Sequence, residues 1–242
     1  MTSTLFSLTA RQLLGRRRAV LIALLSLLPV GIALLYRLAG EGGEETEFAA
    51  GMIGGLVVTL LLPIGALVFG TSALGSEIED GTIVYLLAQP VARWRIVVVK
   101  AAAASLATIA LTVPAVLFTA VIILDGLDSD SLWWASTVAA IAGSVVYSTL
   151  FVGLSTITGR ALVIGLGYVF LWEALITNLF EGTRWISVRQ YVFAIADALS
   201  TAEPVVSTLS GAQALGASAV VVAASLAVGS YFLRRFELGE QS

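Results

Sequence analysis

Apolar residues in this sequence run in long unbroken blocks, separated by short polar segments, with neither strand-like alternation nor a one-sided helical stripe. Six blocks, roughly 19–38, 52–74, 97–124, 133–157, 161–180 and 214–233, reach the length of about 20 residues that a helix needs to cross a hydrocarbon core. Lipid offers backbone groups no outside partner, so each block predicts a helix. The missing polar/apolar alternation argues against barrel strands. The expected fold is an all-α integral membrane protein: one transmembrane domain over 1–242 with six spans and both termini on one side. Segment 2–15 is too short to cross; Leu5, Phe6, Leu8, Leu13 and Leu14 among polar residues predict a helix along the interface. Arg16, Arg17 and Arg18 precede about 20 apolar residues with no small-residue cleavage signal, which reads as a retained span and not a removed leader. The long connection 181–213 is too small for a core of its own. With Trp185, Ile186, Tyr191, Val192 and Phe193 it predicts a short helical segment dipping into the interface.

Sorting the charges by face fixes the orientation. Arg11, Arg16, Arg17, Arg18, Arg93, Arg95, Lys100, Arg160, Arg234 and Arg235 fall on the side of the termini, and only Arg37, Arg184 and Arg189 on the other. Ten bases against three predict cytoplasmic termini in a multi-pass plasma-membrane protein. The net charge of −3 hides this asymmetry, because the outer connections carry ten acids and the cytoplasmic ones five. Trp133, Trp134 and Trp185 suit an outer interfacial belt.

Composition narrows the chemistry. With 58% hydrophobic and 12% charged residues, against about 25% charged in an ordinary soluble domain, the chain cannot clothe a globule in polar surface. There is no Cys and no His, which removes disulfides, thiolate nucleophiles and imidazole ligands. The only lysine is Lys100, preceded by Val99, so no Gly-Lys-Ser/Thr phosphate loop exists. No catalytic constellation, metal site or cofactor is expected on this chain, and no nucleic-acid partner.

The loop 75–95, between spans two and three, carries the most information. Ser76 and Glu79 read as a capping box opening a helix. Gly81 permits a break, Thr82 caps a second short helix over 83–88, and Pro90 stops it. Ile83, Leu86 and Leu87 would give that helix an apolar face, with Arg93, Trp94 and Arg95 anchoring the return to the membrane.

This loop resembles that of ABC transporter permeases of the ABC-2 type. Glu77, Gly81, Thr82, Leu86, Leu87, Pro90, Val91, Arg93 and Lys100 match the family pattern of Glu-x-x-x-Gly-Thr, Leu-Leu-x-x-Pro-Val-x-Arg and a Lys entering the third span. Gly167-Tyr-Val-Phe-Leu-Trp-Glu173, followed by Ser187-Val-Arg-Gln-Tyr191, is similar to the branch that includes the nitrous-oxide-reductase maturation permease. The resemblance implies an exporter subunit that works by alternating access as a homodimer, or a heterodimer with a related permease. It also implies two copies of a separate ATPase that bind ATP and Mg. The short loop helix would be a coupling helix seated in a groove of that ATPase, with Glu77, Glu79, Gly81, Thr82, Ile83, Leu86, Leu87, Pro90 and Arg93 forming the coupling loop.

Glu173, deep in the fifth block, is the single intramembrane acid, a candidate substrate or proton site or else a hydrogen-bonded structural group. Rival readings are an ATPase-independent secondary transporter or channel that uses Glu173, and a membrane assembly factor. Pro29, Pro63 and Pro114 lie within spans as hinges or packing kinks. Gly51 and Gly55 offer a small-residue face for a dimer seam or an internal contact. Asp125, Asp128 and Asp130 lack the remainder of a calcium loop and read as a solvated turn.

Overall fold

The computed structural model describes residues 2–15, 17–40, 45–83, 91–124, 131–200, 207 and 209–239. Among the described residues all regular structure is helical. In chain order the helices are α1 (Thr2–Leu14), α2 (Arg17–Ala39), α3 (Glu45–Glu79), α4 (Arg93–Ile123), α5 (Leu132–Ile157), α6 (Ala161–Leu179), α7 (Val188–Leu199) and α8 (Gly211–Gly239). Five of them, α3, α4, α5, α6 and the Gly211–Arg235 part of α8, are long and apolar enough to cross a membrane. The sequence predicts a further span where α2 lies; that helix holds 23 residues, apolar over Leu24–Ala39.

Helix α5 is the hub and packs against α3, α4, α7 and α8. Its buried side is built of small residues, Ala135, Ser136, Ala139, Ala140, Gly143, Ser144 and Ser148, with Tyr147, Phe151 and Val152 filling the remaining space. Small residues let backbones approach, and dispersion then replaces the hydrophobic force that lipid cannot supply between helices. Two glycines mark such close approaches. A Cβ on Gly70 of α3 would lie 2.9 Å from Phe151 Cβ, and one on Gly153 of α5 would lie 2.9 Å from the Ser225 carbonyl of α8. Hydroxyls stitch α4 to α5, with Thr108 and Ser148 Oγ atoms 3.0 Å apart and Thr112 and Ser144 3.3 Å apart. Each hydroxyl except that of Ser148 also donates to a carbonyl of its own helix.

Two spans leave the α-helical ladder. In α3 the stretch Ile53–Leu61 is π-helical and runs into Pro63. A proline lacks the N–H and its ring meets the carbonyl four residues back. The wider turn accommodates this: the Leu62 amide donates five residues back to the Val57 carbonyl, and Thr59 Oγ1 donates to the Gly54 carbonyl at 2.8 Å. In α6 the stretch Tyr168–Ile176 is likewise π-helical, and it carries Glu173.

Helix α3 continues five residues past the predicted end of its span at position 74, to Glu79. The capping-box reading of Ser76 and Glu79 is therefore corrected: Ser76 lies inside the helix and its hydroxyl donates to the Ser72 carbonyl at 2.7 Å. Serine and acids do not stop a helix that already has a hydrogen-bonded ladder; the first residue that does is Gly81. Gly81 adopts φ +68°, the left-handed geometry that glycine supplies at helix C-termini. Gly51 and Gly55 are exposed, and a Cβ on either would meet nothing within 4 Å, so the small face is not an internal contact among the described residues.

Candidate functional site

The base of the α3–α4 loop is closed by one ion pair. Glu77 sits in the last turn of α3, and Lys100 lies in the third turn of α4. Lys100 Nζ donates to Glu77 Oε1 at 2.5 Å, with the lysine 3% and the glutamate 19% exposed in their side chains. The second carboxylate oxygen, Oε2, is buried and has no hydrogen-bond partner among the described residues. The pair joins the two helices that flank the loop and so fixes its ends relative to one another. On the same turn Ser76 accepts a hydrogen bond from Gln12 Nε2 of α1 at 3.1 Å, which ties the N-terminal helix to the loop base.

The other predicted loop residues divide. Glu79 and Thr82 are exposed, and Gly81 makes the break. Thr82 Oγ1 turns back toward the Glu77 carbonyl at 3.4 Å. Ile83 is 5% exposed and belongs to the core. Arg93 opens α4 and is half-buried, while the Arg95 guanidinium stands 5.3 Å over the Trp94 ring. Leu86, Leu87, Pro90 and the remainder of the predicted short helix lie outside the described residues, as do Asp125, Asp128 and Asp130.

The second site gathers around Glu173, which is 2% exposed. Its carboxylate accepts four hydrogen bonds. Tyr147 Oη of α5 donates to Oε2. Tyr168 Oη and the Val188 amide both donate to Oε1 at 2.9 Å, and the Arg189 amide donates to it at 3.3 Å. In an α-helix residues 168 and 173 would sit about 140° apart around the axis; the π-helical turn brings them onto one face. The two amides belong to the first turn of α7, where unsatisfied N–H groups and the helix dipole favour an anion. Ser187 caps that turn through the Gln190 amide. The Arg189 side chain reaches back to α6 and donates to Thr177 Oγ1 at 3.1 Å and to Asn178 Oδ1 at 3.0 Å. Tyr191 Oη donates to the Trp185 carbonyl at 2.6 Å; burial, with the Glu173 carboxylate adding to it, raises the pKa of this phenol and keeps it a donor. The arrangement is a carboxylate that pins α5, α6 and α7 together, with each of its oxygens engaged.

Sequence reasoning found Glu173 but not its partners, and it counted Arg189 as a base of an outer connection although it is 7% exposed. Lys100, which belongs to the loop motif but not to the predicted coupling-loop residues, proves to be the partner of Glu77. The sequence puts three acids, Glu77, Glu79 and Asp80, at one end of the loop and the chain's only lysine at the other, so it signals a pairing but does not single out Glu77.

Residues 14–238, nearly the whole chain, match the family model described as ABC-2 family transporter protein. No curated protein matches the sequence.

Proposed function

The chain belongs to the ABC-2 family of transporter proteins, and from that premise we propose that it is a permease subunit driven by a separate ABC ATPase. Permease membership and the apolar helices stand together; the coupling, the direction and the assembly are the proposal. The helices α2, α3, α4, α5, α6 and α8 make six spans in this reading. Both termini face the cytoplasm of a bacterial cell, and α1 lies along the inner interface. ATP and Mg bind on the ATPase, which supplies the hydrolysis that this chain lacks the residues to perform. Two permease copies, or this chain and a related one, form the translocation unit, and it exports by alternating access. The similarity of segments 167–173 and 187–191 to the nitrous-oxide-reductase maturation branch belongs to the same proposal.

The observation that carries the reading is the Glu77–Lys100 pair. A loop that takes up force from a partner transmits it only if its ends are held to the spans. Here the acid and the lysine of the motif make that hold between α3 and α4. The segment 83–88 would seat in the ATPase, with Leu86 and Leu87 as its apolar contacts.

The saturated carboxylate of Glu173 supports a structural post and not a proton-carrying site, because a shuttle needs an oxygen open to water or substrate. In this reading Glu173 is not the proton site of a secondary transporter. Capture of the tagged full chain from its own host's membranes in mild detergent tests the main reading. An ABC ATPase polypeptide with measurable ATP hydrolysis should accompany the wild type and be lost from Leu86→Asp. Transport by the purified chain alone, without ATPase or ATP, would refute it.

A further inference from the structure

At the base-rich end of the molecule a groove of about 470 Å³ runs between the start of α4 and the end of α8, lined by Trp94, Val98, Leu226, Ala227, Tyr231 and Arg234, with the Ser230 hydroxyl at its edge. Its floor is apolar and its mouth is cationic and aromatic. The helices flanking it are held close at Gly229, where a Cβ would lie 3.1 Å from Val97 Cγ1. Two further guanidiniums stand over the rings of lining residues, Arg95 over Trp94 at 5.3 Å and Arg235 over Tyr231 at 4.9 Å. Trp94 and Tyr231 are about half exposed, as side chains are that sit at headgroup depth. Among the described residues no carboxylate pairs with Arg95, Arg234 or Arg235.

The geometry points to a binding site in this groove for one phospholipid with an anionic headgroup. The phosphate would sit among Arg234, Arg95 and Arg235, near the Ser230 hydroxyl, and one acyl chain would run down Val98, Leu226 and Ala227. Charge complementarity selects this occupant. Three guanidiniums with no carboxylate partner among the described residues, beside an apolar lining, favour an amphiphile with a negative head, and basic pockets between spans are where such headgroups bind. A zwitterionic lipid fills the floor equally well but gains less at the mouth. The site lies just after the α3–α4 loop, so a bound lipid would stiffen the end of α4 that carries Lys100.

The test uses the full chain in nanodiscs and reads Trp94. Brominated phosphatidylglycerol, diluted into phosphatidylcholine, should quench a component of the tryptophan emission that is absent from Trp94→Phe. Brominated phosphatidylcholine at the same fraction should quench that component several-fold less. Arg234→Gln with Arg95→Gln should weaken the quenching titration by about fivefold for each guanidinium removed; both are surface positions, so circular dichroism should stay unchanged. Native mass spectrometry should show one phosphatidylglycerol retained by the wild type and lost from the double variant. Equal quenching by the two brominated lipids would mean annular contact only and would overturn the proposal. So would an unshifted titration in the double variant. Neither outcome bears on the ATPase, which is absent from the assay.

Discussion

Lys100 and Glu77 are 23 positions apart in sequence and meet at 2.5 Å. Removing one member of a buried pair leaves the other charge without compensation. Lys100→Met should therefore destabilise the protein by about 3 kcal/mol, read as a lowered melting temperature in detergent, and adding Glu77→Gln should restore most of the loss. At Glu173 the isosteric change is tolerated. In Glu173→Gln the amide oxygen can keep the two donors at 2.9 Å, Tyr168 Oη and the Val188 amide, and the new N–H₂ can donate to Tyr147 Oη, which then accepts in place of donating. That variant should fold and transport with an unaltered pH profile. Glu173→Ala, which strands two amides and two phenols, should lose about 3 kcal/mol or more, since each buried unpaired group costs about 1–3. A Glu173→Gln protein that folds but loses its transport would return the residue to a functional role. The sequence displays the acid in an apolar block, and that is legible; its partners are not. Tyr147 lies 26 positions away and the Val188 amide 15 away, separations that no local pattern encodes.

Helices were the easiest elements to read, because length and continuous apolarity alone demand them in lipid. Their ends were harder. The run Ser76-Glu-Ile-Glu79 has the residues of a helix start, yet it finishes α3, since a running ladder overrides a capping preference until Gly81 breaks it. The π-helical turns were invisible, although Pro63 marks the position of one. Packing at the element scale turns on which glycines face a neighbour. A Gly70→Ala methyl would press on Phe151 and on the Ser148 carbonyl, 3.1 Å from its Cβ. It should lower stability by about 1–3 kcal/mol, as overpacking does. Gly55→Ala, in open space within this chain, should stay within about 0.5 kcal/mol. Thermal unfolding of the two variants side by side gives the comparison. Equal losses would mean that the α3–α5 contact does not depend on the glycine.

For the whole molecule, a charge of −3 and a mean hydropathy of +0.98 describe an apolar body; the six-span reading sorts its charges by face and puts the α3–α4 loop on the basic one. The family follows from residues 14–238. The mechanical reading follows from a loop whose mouth is clamped by Glu77 and Lys100, close to where α1 docks through Gln12. In the proposed coupling, Leu86 and Leu87 of that loop are the apolar residues on which a partner pushes. The chain's lack of cysteine allows the most direct test. A Leu86→Cys protein carrying a photoactivatable thiol label is irradiated in its own membranes and compared with a Glu44→Cys protein treated identically. The account predicts an adduct with an ABC ATPase polypeptide from position 86 and none from position 44. No ATPase adduct from position 86 in membranes that still support ATP-driven transport would contradict it.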